Sequence, residues 1–342
     1  MVVKKHLTSL SKCLGLILLS VIILSLGGCS PSNVVENPQQ NSEEIISIGI
    51  SQIIENPVLD LAREGFVDAL KEKGYEDGKN IEIDTQYAQG DIALTTTIAQ
   101  NFVSQKKDLI LAISTPSAQS ALQSTKEIPI LFTAVTDPVS AGLVENTNSP
   151  EGNITGTTDM VPVEKQFELG KNIFENVKKV GIPYNTSEVN SQVQVDLAKE
   201  AAKAAGLEIV EIPVTNSSEI EPALSGKIGD VDFLFLPSDN LIASSMSIIT
   251  KIALDNKVGT IGVDEPMVKN GALACEGLDY YKLGYQTGLM AIDIIEGKEI
   301  KDIPVSETKE TELTINKDIA DKLGITIPEN IIEKAIIVKE EN

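Results

Sequence analysis

Histidine is nearly missing from this chain of 342 residues, and its scarcity removes whole classes of chemistry. The single histidine is His6, inside an N-terminal stretch that reads as a removable leader, so a mature chain would carry none. Ser-His-Asp triads, Cys-His pairs and His-ligated metals are thereby excluded. The single arginine, Arg63, sits in a helical pattern, so an arginine clamp on a ligand carboxylate is not expected. Backbone amides and hydroxyls would have to hold such a group instead. Tryptophan is absent and aromatic residues make up 4% of the chain, which leaves no evident aromatic cage. Of the 3 cysteines, Cys13 and Cys29 fall near the N-terminus and Cys275 stands alone in the body, so no internal disulfide is expected. Cys275 reads as a small buried apolar residue. Basic residues are outnumbered 28 to 50, giving a formal charge of −22. A body this acidic, with no basic stripe, repels nucleic acid and anionic membrane surfaces.

What is present begins with Lys4, Lys5 and Lys12, an apolar run over residues 14–26, and Leu26-Gly27-Gly28-Cys29. This is the pattern of a signal peptide spanning residues 1–28. The run is short of the roughly 17–25 residues that a membrane-spanning helix uses. Small residues before Cys29 resemble the lipobox of bacterial lipoproteins, which implies cleavage and lipid modification of Cys29. Loss of residues 1–28 removes three lysines and no acid, taking the formal charge from −22 to −25. Residues 29–44 lack apolar periodicity and read as a flexible tether.

From residue 45 the chain repeats one sentence: short apolar strand, polar loop, amphipathic helix. Residues 45–50 (IISIGI) lead into a helix reaching about Lys73, with Val58, Leu61, Phe66, Ala69 and Leu70 on one face. Strands follow at 81–87, 109–113 and 128–133, with a helix at 92–105. The pattern pauses around GNITGTT at 152–158, where the chain is expected to leave one sheet for another. The second half adds strands at 177–182, 207–212, 231–236 and 260–263, and helices at 191–205 and 241–255, the former stopped by Gly206. Such alternation predicts an α/β fold of βαβ units with parallel sheets. The length exceeds one ordinary core, so two doubly wound lobes are expected. Ligands of such sheets bind outside the carboxyl ends of the strands. Six strand ends carry polar loops, three in each half: SQIIENP, STPSAQ, TAVTDP, PYNTSEVNS, PSDN and VDEP. A cleft between the lobes would be lined from both sides.

Five segments occur in order: LAREGFVDALKEKGY at 61–75, LILAISTPSAQSAL at 109–122, IPILFTAVTDPVSAGLV at 128–144, LPSDN at 236–240 and GLDYYKLGYQTGLMA at 277–291. Together they resemble the substrate-binding proteins of one family of ABC importers, members of which are associated with aromatic amino acids. The resemblance covers residues 45–323 and implies a type I periplasmic-binding-protein-like fold, with a hinge and three crossings between lobes. It implies an N-terminal lobe of residues 45–157 and 278–306 and a C-terminal lobe of residues 158–277 and 307–342. A helix at 280–296 would return to the first lobe, and a strand near 308–315 would finish in the second. The implied partners are an ABC permease and its ATPase, with no cofactor and no metal. A monomer, lipid-anchored outside the cell membrane, is the implied state.

Candidate ligand residues lie at the strand ends. Ser114, Thr115 and Ser117 open a helix whose free N–H groups and hydroxyls suit a carboxylate, though the same residues also suit an ordinary N-cap. Asp239 and Asn240 end an apolar strand, where a partly desolvated carboxylate suits an ammonium group or, again, caps a helix. Asp264 and Glu265 form a second acidic candidate, and one of the two carboxylate sites is expected to be structural. Asp137 precedes Pro138 and either binds or turns the chain. Tyr184, Asn190 and Ser191 surround a helix start and are placed to close on the ligand carboxylate from the far side, with Tyr184 as an aromatic wall. Tyr280-Tyr281 reads as hinge packing, while Ile53 and Phe132 are candidates to receive a side chain. The expected ligand is a zwitterionic amino acid, aromatic or otherwise apolar. Three function classes follow: an importer's solute receptor, a sensory module presenting the same ligand to a membrane receptor, and a surface enzyme using paired carboxylates. The last is disfavoured, because no nucleophile–base spacing stands out.

Overall fold

The alternation of apolar strands and amphipathic helices builds two sheets. The computed structural model describes residues 45–308 and 310–339. The expected leader, Cys29 and the tether lie outside the described residues. The strands are β1 (Ile46–Gln52), β2 (Ile81–Tyr87), β3 (Leu109–Ile113), β4 (Ile130–Val135), β5 (Ile154–Thr158), β6 (Lys179–Asn185), β7 (Glu208–Val214), β8 (Phe233–Phe235), β9 (Gly259–Gly262), β10 (Ala274–Gly277), β11 (Ser306–Glu307), β12 (Glu312–Asn316) and β13 (Ile336–Val338). The helices are α1 (Pro57–Glu72), α2 (Ile92–Ser104), α3 (Thr115–Ser124), α4 (Val163–Ile173), α5 (Val189–Ala205), α6 (Ser217–Ser225), α7 (Asn240–Ser244), α8 (Met246–Asp255), α9 (Glu265–Lys269), α10 (Tyr280–Ile295), α11 (Lys317–Leu323) and α12 (Glu329–Ile332).

The first sheet has the order β11-β5-β4-β3-β1-β2 and every pairing in it is parallel. The second has the order β13-β12-β10-β9-β8-β6-β7 and is parallel except between β10 and β12. The exception follows from the crossing. β11 runs parallel to β5 and emerges at the carboxyl edge of the first sheet, so the chain enters the second sheet from that edge and β12 must run back against β10. The strand expected near 308–315 is found as β12 in the second sheet, preceded by the two-residue β11 in the first. The helix expected over 241–255 is also divided. Ser244 Oγ donates back to the Leu241 carbonyl at 3.0 Å, and Ser245 leaves helical geometry with ψ 14°. Such local back-bonding competes with the helix ladder.

Each lobe is held by its own apolar interior. Phe66, Phe102 and Phe132 are fully buried in the first, and Phe167, Phe233 and Phe235 in the second. Burying each ring contributes roughly 1.5–3 kcal/mol relative to exposure. Phe167 meets Phe235 edge-on at 5.6 Å, and Phe174 stacks on Phe233 at 5.3 Å. α10 returns to pack along α1 through glycines: a Cβ on Gly284 would lie 1.7 Å from the Ala62 carbonyl oxygen, and one on Gly65 2.1 Å from that of Tyr281. Side chains tie down the crossings. Gln166 clamps the backbone of Glu276 in both directions, at 2.6 and 3.1 Å, and Lys165 pairs with the Glu276 carboxylate at 2.9 Å.

Candidate functional site

The residues that follow the strands of both sheets gather around one cavity. Asn56 follows β1, Ser114 follows β3, Ala134 and Thr136 end β4, Asp159 follows β5, Asn190 opens α5, Ser238 to Asn240 follow β8, Asp264 follows β9 and Tyr280 opens α10; all line it. The enclosed space is about 30 Å3, and about 350 Å3 when the open solvent at its mouth is counted with it. No lysine or arginine lines it.

On the first-lobe side, Ser114 carries an unusual backbone, φ 84° and ψ 154°, a region that side chains other than glycine rarely adopt. Its N–H donates to the Thr133 carbonyl at 3.0 Å, fixing the turn. Its hydroxyl makes no capping bond to α3. Instead it accepts from Asn240 Nδ2 of the other lobe at 2.9 Å. The first-turn amides of α3 are thus left without a side-chain cap, and the buried hydroxyls of Thr115 and Ser117 have no hydrogen-bond partner. These two do not line the cavity but stand behind Ser114, one and three residues on.

The acids divide into caps and free groups. Asp239 is spent on the backbone: Oδ1 accepts from the Ile242 N–H at 2.9 Å and Oδ2 from the Asn185 N–H at 2.6 Å. It caps α7 and ties β6 to β8, which suits a structural role over an ammonium site. Asp264 caps α9 through Oδ1, which accepts from the Met267 N–H at 2.7 Å. Burial pushes its carboxyl up to about 7; the Met267 N–H opposes this, and the charges of Asp159 and Glu265 add to it. Asp159, not among the sequence candidates, is 3% exposed. Its Oδ2 accepts from the Tyr280 hydroxyl at 2.7 Å, while Oδ1 is buried without a partner. Burial raises its carboxyl above the ordinary range despite the Tyr280 and Thr136 hydroxyls.

Glu188 is a second residue that sequence reasoning passed over. It lies 4% exposed and accepts from three amides: Asn185 Nδ2 at 2.9 Å, Asn190 Nδ2 at 3.1 Å and Asn240 Nδ2. Burial first, and then the charge of Asp239, push it up to about 7 against those donors. Asn240 therefore bridges Glu188 to Ser114 across the cleft. The signal for both missed acids was their place: Asp159 ends the pause at 152–158, and Glu188 sits inside the PYNTSEVNS loop.

The remaining candidates are not brought to this cavity. Asp137 closes a turn, accepting from the Val139 and Ser140 N–H groups at 3.0 and 3.1 Å, and borders a separate cavity beside Pro162 and Lys165. Tyr184 donates to Glu211 at 3.0 Å away from the cleft. Glu265 pairs with Lys269 at 3.2 Å. Ser191 is fully buried behind Asn190. Ile53 borders the cleft mouth with Ile54, Ile92 and Leu241.

Comparison with known proteins places this geometry. The family model described as ABC transporter substrate binding protein matches residues 47–339. A tyrosine-binding protein of Clostridioides difficile is 51% identical over 312 residues, which are 90% of each chain. A crystal structure of an ABC domain in complex with L-Trp from Streptococcus pneumoniae superposes with a TM-score of 0.83 at 36% identity, over 86% of this chain and 99% of that one. The ligand-free, open structure of a substrate-binding protein with adhesive properties from Clostridium difficile reaches 0.67 at 49% identity, over 87% and 100%. Likeness in shape thus follows the ligand-bound relative rather than the more similar sequence, in keeping with the Ser114–Asn240 bond across the cleft. Type I periplasmic binding proteins at 12 to 16% identity share the fold. From these matches and the cavity built between its lobes, the chain belongs to the family of ABC transporter substrate-binding proteins.

Proposed function

We propose that this chain is the extracytoplasmic receptor of an ABC importer, closing its lobes over a free amino acid with an aromatic or other apolar side chain and releasing it, chemically unchanged, to a permease driven by its ATPase. Lipid on Cys29 and the tether of residues 29–44 would hold the monomer at the membrane. The observation that carries the reading is Asp159 Oδ1, a buried carboxylate oxygen with no partner, beside the half-used carboxylate of Asp264 in a cavity lined by no basic side chain. An ammonium group supplies the missing charge. The ligand carboxylate goes to the uncapped start of α3, with Ser114 in front and the Thr115 and Ser117 hydroxyls behind, because first-turn amides attract anions. The named ligands of the relatives, tyrosine and L-Trp, fit this arrangement.

A melting-temperature screen over amino acids, sugars, purines and oligopeptides tests it. An amino acid at 100-fold excess over Kd should stabilise the protein by about 2.7 kcal/mol. A shift with sugars or peptides and none with amino acids would sink the reading.

A further inference from the structure

Asn190 lines the cavity with 5% of its surface exposed. The two protons of its amide nitrogen go to the Ser238 main-chain carbonyl at 2.9 Å and Glu188 Oε2 at 3.1 Å, with the Ser191 hydroxyl a longer contact at 3.4 Å. The Ser238 carbonyl only accepts, so turning the amide over would set oxygen against oxygen. The orientation is therefore locked by its neighbours. The other end of the amide, Oδ1, is buried and has no hydrogen-bond partner.

Two pure acceptors without a partner thus belong to residues lining one cavity, Asp159 Oδ1 and Asn190 Oδ1, beside the partnerless hydroxyl of Ser238. They come from different segments and share no partner, Asp159 being braced by Tyr280 and Asn190 by Glu188, Ser191 and Ser238. Their chemistry differs as well. Asp159 can supply charge for an ammonium group, whereas Asn190 is neutral and suits a neutral donor. A ligand carboxylate at Asn190 would meet a carbonyl oxygen with Glu188 behind it, so the carboxylate role expected from its place in the loop does not suit it. Glu188 cannot replace it, since both its oxygens already accept from Asn185, Asn190 and Asn240.

We infer that Asn190 reads the ligand side chain, selecting an apolar side chain tipped with a hydrogen-bond donor, the phenol O–H of tyrosine or the indole N–H of tryptophan, over phenylalanine. The inference rests on the amino acid reading of the cleft. Its physical basis is asymmetric: a donor on the side chain satisfies Oδ1, while a plain phenyl ring seals that oxygen away from water with nothing to bond it. Sites built around such a bond reject the analogue lacking it far more strongly than an apolar pocket rejects an extra methylene. Glu188 acts here as a positioning residue, holding the amide.

The test is calorimetric titration of the purified protein with tyrosine, tryptophan and phenylalanine, repeated on Asn190→Leu. The unaltered protein should bind the tighter of tyrosine and tryptophan on the order of 100-fold better than phenylalanine. In Asn190→Leu that gap should fall below about tenfold, through weaker binding of the donor-tipped ligands and phenylalanine affinity that holds or rises. Phenylalanine binding as well as both donors in the unaltered protein overturns the inference even if the variant fails to fold. Asn190→Ala gives a second variant. A gap that persists in a folded variant overturns it too, as does equal weakening of all three ligands, which would place Asn190 on the shared ammonium. Binding of none of the three overturns this inference, and the amino acid reading falls with it only if the melting-temperature screen finds no other amino acid that binds.

Discussion

At the scale of single residues, capping and ligand binding draw on the same small set of side chains, and this limits what a strand-end motif discloses. LPSDN and STPSAQ look alike as sequence, yet Asp239 gives both oxygens to backbone N–H groups while Ser114 turns its hydroxyl away from its helix. Which choice is made depends on backbone angles and on partners more than fifty residues away, which periodicity does not carry. Ser114 holds a nearly glycine-only conformation at a cost of about 1–3 kcal/mol. Ser114→Gly should therefore raise stability by about 1 kcal/mol after the looser unfolded chain is counted, and weaken ligand binding. Ser114→Ala keeps the strain and should lose affinity without the gain, so paired melts and titrations separate the two effects. Asp239→Ala should cost about 2 kcal/mol of stability, because it uncaps α7 and strands the buried Asn185 N–H. Asp159→Asn keeps an oxygen for Tyr280 but removes the charge. Amino acid affinity should fall by about 100-fold or more in calorimetry, while melting of the unliganded protein holds or rises.

At the scale of elements, the strand–helix alternation was legible because a parallel sheet covered on both faces needs continuous apolar strands, and IISIGI, LILAI and FLFL supply them. β2 was expected at 81–87 and is found there. The pairing of α1 with α10 was not legible, since the two are separated by most of the chain and nothing local joins them. Their contact explains why LGYQTGLMA spaces its glycines four apart: Gly284 and Gly288 sit on one face of α10 against the backbone of α1. Gly284→Ala would drive a methyl group into the Ala62 carbonyl, an overlap with backbone that no rotamer relieves. The substitution should lower stability by about 3 kcal/mol or more, read as an early melt, whereas Gly297→Ala beyond the helix meets no neighbouring atoms and mainly strains a positive φ.

At the scale of the whole molecule, two lobes follow from the repeated pattern, but how far they close depends on a few contacts across the cleft such as Ser114 with Asn240. Asp159, Asp239 and Asp264 line a space with no cation in its lining and Glu188 stands behind Asn240, and the consequence is a dependence on pH. Glu188 and Asp264 are pushed up to about 7 from ordinary values of 4.5 and 3.8, mainly by burial, and Asp159 and Asp239 are raised in the same direction. Between those ordinary values and about 7 the folded protein binds more protons than the unfolded chain, so stability is greatest below that window and falls as pH rises through it. A ligand ammonium acts in the opposite sense at Asp159 and Asp264. It favours their ionised forms, so ligand uptake releases protons and affinity grows with pH across the same window. Melts from about pH 5 to about pH 8 should show the protein alone losing stability while the shift produced by the amino acid widens, and Asp264→Asn should flatten both trends. Asn240→Ala removes the bridge and with it a donor that holds the Glu188 carboxyl down, so the slope of the protein alone should steepen while the amino acid shift keeps its dependence on pH. A ligand-induced shift equal at both ends of the range would mean that the ammonium has other partners. In that case the buried acids serve the hinge and the caps alone, and the charge of the cleft would have to be balanced from the ligand's side chain instead.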